Sequence, residues 1–447
     1  MPEKLPLLTL TVVSFLGFAA LAAGQSRTLR SGDQLQVNTY TTTSQDAPSV
    51  AAAPNGTFVV VWQSYRGAYL DDSNSSVHGR LVAADGTPVG DPFQVNTYTT
   101  STQQGPDVAT DGAGNFIVVF ESWGSYGSDS IYNSIQAQRY ASDGSPIGTQ
   151  FQVNDYTTGT QGFPAVASDA AGNFVVIWDS SDSDNGDTSS DSVQGQRFDS
   201  TGAPVGNQFL VNTYTTDGQG FADVDMNDQG QFVAVWYGNT SEGGSGYPIF
   251  GRVFGSDGNP VGNDFVVNAD TASYAGGPAV AVGPTGDFVV TWHSFDPTLG
   301  DPVPGGIAAR RYASDGSPVG DAFLVNTYTV GSQMLPDVTV DDRGDLVFVW
   351  RSNGSENGDT SSHSIQMKRY SSSGTVLDSQ VLVNTYTTGT QSFAAVAAAP
   401  GGDFVVAWQS YGSPGTDSDG NSVQSQAFLA AIFMDGFESG DTSRWSQ

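Results

Sequence analysis

The side chains best suited to chemistry in this chain are carboxylates gathered in loops. Between Trp178 and Val193 the sequence reads DSSDSDNGDTSSDS, which brings Asp182, Asp184, Asp187 and Asp191 into one short segment. Further on, TDSDGNS offers Asp417, Asp419 and Asn421, and an earlier loop holds Asp71, Asp72 and Asn74. Hard cations such as Ca2+ take several oxygen ligands from flexible loops, and Asp and Asn alternating with Gly supply them. Calcium held by Asp182, Asp184, Asp187, Asp191, Asp417, Asp419 and Asn421 is therefore one expectation. The spacing is not that of an EF-hand. Counted from Asp182, Gly186 stands fifth instead of sixth, and Val193 occupies the twelfth place that a Glu should fill. A solvated acidic loop would use the same residues.

A second set of carboxylates shares one register position. Asp107, Asp223 and Asp337 alternate there with Ser49, Ala165, Ala279 and Ala395. On the innermost strand of a ring they would stand near a central channel and suit a cation or polar ligand; a local hydrogen bond is the simpler role. The histidines, His78, His293 and His363, fall at unlike positions. No Ser-His-Asp order, zinc spacing or nucleotide loop is present. Carboxylates are too abundant to single out a glycosidase pair. No catalytic residue is assigned.

These residues sit on a repeat. FQVNTYTT at Phe93 returns as FQVNDYTT at Phe151, FLVNTYTT at Phe209, FVVNADTA at Phe265 and FLVNTYTV at Phe323, with LQVNTYTT at Leu35 and VLVNTYTT at Val381. The Asn residues are Asn38, Asn96, Asn154, Asn212, Asn268, Asn326 and Asn384, spaced by 58, 58, 58, 56, 58 and 58. Each unit reads as four short strands: a PxVA strand, an apolar run ending in an aromatic (FVVIW to Trp178), an alternating strand (SVQGQRF) and the FxVN strand. No helical period of useful length appears. The aromatic closing each apolar run, Trp62, Phe120, Trp178, Trp236, Trp292, Trp350 or Trp408, has the strict register of a core residue instead of a sugar platform. Arg139, Arg197, Arg311 and Arg369 recur in the third strand and should pair with acidic neighbours.

Four strands per unit and seven units predict an all-β fold, a seven-bladed β-propeller. An orphan VN strand, Leu35 to Asn38, precedes the first unit, and the last unit stops after its third strand, Val423 to Phe428. Pairing the two would close the ring. The motifs FVVVW, SVQGQRF, SDGSPVG and FQVNTYTT resemble propeller-type repeats of exported bacterial proteins over 33–428. The resemblance implies the architecture and no particular activity. The last segment, 429–447, contains DGFESGD followed by Trp445. It resembles a C-terminal tail of exported Gram-negative proteins, and implies a sorting or attachment signal.

The N-terminus carries a short segment with one Lys, MPEK, then an uncharged apolar run from Leu5 to Ala23 and small residues near Gly24. This predicts a secretory leader at 1–24, and hence a secreted or cell-surface protein with no membrane span after cleavage. Cysteine is absent, so no disulfide holds the fold. With 15 Lys+Arg against 46 Asp+Glu, a formal charge of -31, the surface repels nucleic acid. A monomer is expected. Similar blades favour a binding or adhesion scaffold for an extracellular glycan or surface protein. The alternative is a polysaccharide hydrolase with its site at the channel mouth.

Overall fold

The computed structural model describes residues 29–430, apart from loop positions 67–73, 125–126, 128, 130–131, 182–185, 188–189, 239–246, 269, 272, 302–304, 356–357, 360, 413–414 and 418. The segment expected to be a leader, 1–24, nearly all of the segment 429–447, and Asp71, Asp72, Asp182 and Asp184 lie outside the described residues. The chain forms seven antiparallel sheets of four strands each. Among the described residues the only helical element is a 3-10 turn, Pro297–Leu299. None of their helices is long and apolar enough to cross a membrane.

The second strand of each blade explains why the sheets stack. In blade three it is Phe174–Ser181, and Phe174 to Trp178 are all buried. A strand covered on both faces needs no polar alternation. Val175 and Ile177 pack towards blade four, while Val176 and Trp178 pack towards blade two. Side chains alternate across a strand, so the residue after the Trp faces the next blade. Trp62, Trp178, Trp236, Trp292, Trp350 and Trp408 are at most 2% exposed, as core residues should be.

The ring closes as the repeat count requires. Leu29–Gln36 pairs with Asn421–Leu429, giving blade seven its outer strand from the other end of the chain. Leu35 stands opposite Ser425, and Val37 N–H donates to the Val423 carbonyl at 2.8 Å.

The repeated Asn is a three-way joint. In blade three, the Asn212 Oδ1 accepts from Val193 N on the third strand at 2.8 Å. Its Nδ2 donates to the Tyr214 carbonyl at 2.7 Å and to Asp187 Oδ2 at 3.2 Å. One amide side chain thus ties the third strand, the link to the next blade and the long loop.

The third-strand arginines differ from expectation. Arg139 donates to the Ser200 and Thr201 carbonyls, Arg197 to Ser256 and Asp257, and Arg311 to Ser371 and Ser372. Each grips the backbone of a tight turn on the following blade, not a carboxylate. The planar fork matches two adjacent carbonyls there. Arg369 is the exception, because blade seven has no such turn after its third strand. It pairs with Asp378 at 3.3 Å instead.

Candidate functional site

Inner strands start, and second strands end, on one face of the ring, called the upper face here. Every inner strand has a bulge at that end, with a left-handed residue: Ala47, Gly105, Phe163, Phe221, Gly277, Leu335 and Phe393, at φ between 49° and 55°. Only Gly adopts this region without strain. The bulge turns these side chains out around the channel, where they line a cavity of about 360 Å3. Phe163, Phe221 and Phe393 are 56%, 50% and 47% exposed.

Just beneath this rim lies the residue that follows the second-strand aromatic. It differs from blade to blade: Gln63, Glu121, Asp179, Tyr237, His293, Arg351 and Gln409. In three blades it accepts the N–H of the bulged residue on the next blade. Glu121 accepts from Phe163, Asp179 from Phe221 at 2.9 Å, and Gln409 from Ala47 at 3.2 Å. The repeat motifs alone assign no role to this position. Its signal was available: in aligned repeats, variation begins immediately after the most regular residue.

The set divides into an acidic and a basic sector. Glu121 also accepts from Gln104 Nε2 at 2.9 Å, and burial raises its carboxyl above the usual range. Asp179 is half-buried, and its Oδ1 has no hydrogen-bond partner. Burial pushes this carboxyl up to about 8, aided by the charges of Asp191 and Glu121. Across the mouth, His293 is 5% exposed and neither ring nitrogen has a partner. Burial, with the Arg351 charge, holds it down at about 4. Arg351 also lowers His363, after burial. Two histidines unrelated in the repeat therefore share one arginine neighbour.

Aromatic rings connect the sectors. Phe163 packs on Phe221 at 4.8 Å, Phe221 on Tyr237 at 5.4 Å, and Tyr237 on Tyr247 at 6.1 Å between centroids. Tyr247 meets Tyr274 at 5.3 Å, and Tyr274 stacks on His293 at 5.5 Å. Tyr65, Trp123, Tyr132, Tyr274 and Tyr411 are exposed on the same face.

Five of the residues expected to hold calcium are described, and each has a place of its own. Asp187 and Asp417, on separate blades, are fully buried and hold Asn212 and Asn38 through their Oδ2 atoms. Asp129, Asp301 and Asp359 do the same for Asn154, Asn326 and Asn384. Asp191 accepts from Ser181 Oγ at 2.7 Å, Asp419 is exposed, and Asn421 donates to Asp46 at 2.6 Å. Among the described residues no three acidic or histidine side chains form a metal-holding group.

The inner-strand carboxylates do reach the axis, where they act as inter-blade links. Asp107, Asp223 and Asp337 accept the N–H of Val166, Val280 and Val396 on the next blade, each at 2.8 Å. Inner strands of neighbouring blades share no sheet, so these N–H groups need side-chain partners. Asp225, one turn of the pleat further on, accepts from Val282 at 2.7 Å. Burial raises all four, Asp337 to about 7 and Asp225 to about 6, with Asp223 well above its ordinary value. At the opposite mouth, a cavity of about 220 Å3 is lined by Asp111, Asp169, Asp228, Asp341 and Asp342. Asp111, Asp169 and Asp341 there accept backbone N–H groups of their own turns.

No family model matches the chain, and neither does any curated protein. Solved structures do. A Dyadobacter fermentans protein of unknown function gives a TM-score of 0.52 at 10% identity, covering 90% of this chain and 99% of that one. The polysaccharide lyase Uly1 gives 0.53 at 10% identity, covering 86% and 90%. A Penicillium chrysogenum α-L-arabinanase solved with arabinobiose gives 0.48 at 11% identity, covering 88% and 98%. At such identity the likeness is one of fold, and it agrees with the strand order: this chain is a seven-bladed β-propeller of four-stranded antiparallel blades.

Proposed function

We propose that the upper face binds a saccharide chain, with the protein acting as an exported or cell-surface scaffold for an extracellular glycan. The observation that carries this reading is where the exposed aromatics lie. Tyr65, Trp123, Tyr132, Phe163, Phe221, Tyr274, Phe393 and Tyr411 all stand on that face, at strand ends or in its loops. Exposed apolar area gathered on one side marks an interaction surface. Flat rings beside a few convergent polar groups suit a ligand with apolar C–H faces and hydroxyl edges. A glycan array tests the reading. Replacing both Phe163 and Phe221 by Ala should weaken the best ligand at least about tenfold, or ~1.4 kcal/mol. Unchanged affinity in that variant, or binding of surface proteins but no glycan, would count against it.

A second reading is cleavage of the bound chain. Asp179, whose burial keeps its carboxyl protonated near neutral pH, would serve as the proton donor at the same mouth in this reading. Release of new chain ends from a bound polysaccharide, lost in Asp179→Asn, is the test.

A further inference from the structure

We propose that the basic sector of the upper mouth is an anion subsite, in which the Arg351 guanidinium, beside the buried His293 ring, takes the carboxylate of a uronic-acid residue in the bound saccharide. This rests on the glycan-binding reading and names the ligand class.

The residue after the second-strand aromatic accepts the next blade's N–H where it is Glu121, Asp179 or Gln409. Arginine carries no acceptor. His293 has one when neutral, yet its buried ring makes no hydrogen bond at either nitrogen. A nearly buried polar ring without a partner needs a reason, and breaks in a local rule concentrate at functional sites. The bond is made in three of the seven blades, and blades five and six depart from it with a buried, unpartnered ring and a weakly held guanidinium on neighbouring blades.

Like most of the described basic residues Arg351 lacks an ion-pair partner, but unlike Arg139, Arg197 and Arg311 its guanidinium donates to no backbone carbonyl among the described residues. Its guanidinium is half-buried and reaches only Ser392 Oγ at 3.4 Å and Met334 Sδ at 3.3 Å. Long contacts of this kind leave donors unused. A planar fork with free donors matches a carboxylate in bidentate geometry. Tyr274, 46% exposed and stacked on His293, offers a flat surface for the sugar ring that carries this carboxylate. On a chain of net charge -31, this sector is where an anionic ligand meets the least repulsion.

The experiment compares polygalacturonate with its carboxyl-reduced form by calorimetry. The native chain should bind the acidic polymer at least about tenfold more tightly. Arg351→Gln should remove most of that preference, while Phe221→Ala weakens both polymers alike. Free galacturonate, and not galactose, should displace the acidic polymer from the native chain, which tests the subsite even where Arg351→Gln melts early. A preference that survives in folded Arg351→Gln, or equal displacement by both sugars, overturns the subsite and leaves glycan binding standing. If neither polymer nor any arrayed glycan binds, the broader reading fails and the subsite falls with it.

Discussion

Asn38 and Asp417 are 379 residues apart in the chain and share a buried 2.9 Å hydrogen bond. The same pair recurs inside blades at a separation of 25 residues, as in Asn154 with Asp129 and Asn384 with Asp359. Closure therefore rebuilds an ordinary joint from the two ends of the chain. Asn38→Ala removes one donor from Asp417 and the side-chain acceptor of the Val423 N–H. A loss of about 1–3 kcal/mol is expected, and deletion of residues 34–38 should cause unfolding or aggregation through the exposed edge. Thermal melts decide; an unaltered melting temperature after the deletion would show that the strand does not close the ring.

Trp178→Ala should cost about 3–5 kcal/mol, the range for emptying a buried aromatic site. The indole is fully buried and donates to Gln161 Oε1 at 3.2 Å. Glycan affinity per folded molecule should not change. Loss of sugar binding with no loss of stability would make the indole a platform after all.

Much of this was legible in the sequence. The spacing of the seven Asn residues set the blade count, and the orphan Leu35–Asn38 strand set the closure, because both are patterns along the chain. The roles of Asp187 and Arg139 were not. A loop Asp reads alike whether solvated or buried, and its partner Asn212 lies a blade edge away. Arg139 grips carbonyls, which carry no residue identity. The mouth residues were hidden for a different reason. Glu121, His293 and Arg351 become one set only when strand alternation turns each towards the next blade.

Asp187 separates an anchor from a metal ligand. Asp187→Asn keeps the shape but removes a charged acceptor from Asn212 Nδ2. A charge-assisted bond of this kind is worth about 1.5–3 kcal/mol. The melting temperature should fall equally in chelator and in calcium. A drop seen only with calcium present, and not with sodium at matched ionic strength, would instead assign a bound ion.

Stability should decline as pH rises from about 6.5 to 8.5. Asp179 and Asp337 have folded values raised to about 8 and about 7, and Asp223 is raised well above its ordinary value. An unfolded Asp ionises near pH 4, at about 3.9. Between these values the native state binds more protons, so stability falls with pH until the folded value is passed. His78 and His293, lowered to about 4, act oppositely and only below their unfolded value of about 6.5. Above it the carboxylates act alone. Asp179→Asn with Asp337→Asn should flatten the melting profile over that upper range; a double variant as steep as the native chain would refute the assignment.

Phe221 tests whether strain and function coincide. Its φ is 49°, a conformation that Gly105 and Gly277 adopt at the same register without a side chain to strain. A non-Gly residue there costs about 1–2 kcal/mol. The exposed ring returns little of that through packing, since it touches mainly Phe163 and Tyr237. Phe221→Gly should therefore leave the protein as stable as before or more so, despite the loss of a large apolar side chain. The Asp179 hydrogen bond comes from the backbone N–H and survives the change. Saccharide affinity should fall with the ring removed. Paired melts and binding isotherms on the one variant measure both sides. A marked destabilisation would mean that Phe221 is held there for packing, and undiminished binding would mean that the aromatic rim is not the contact surface.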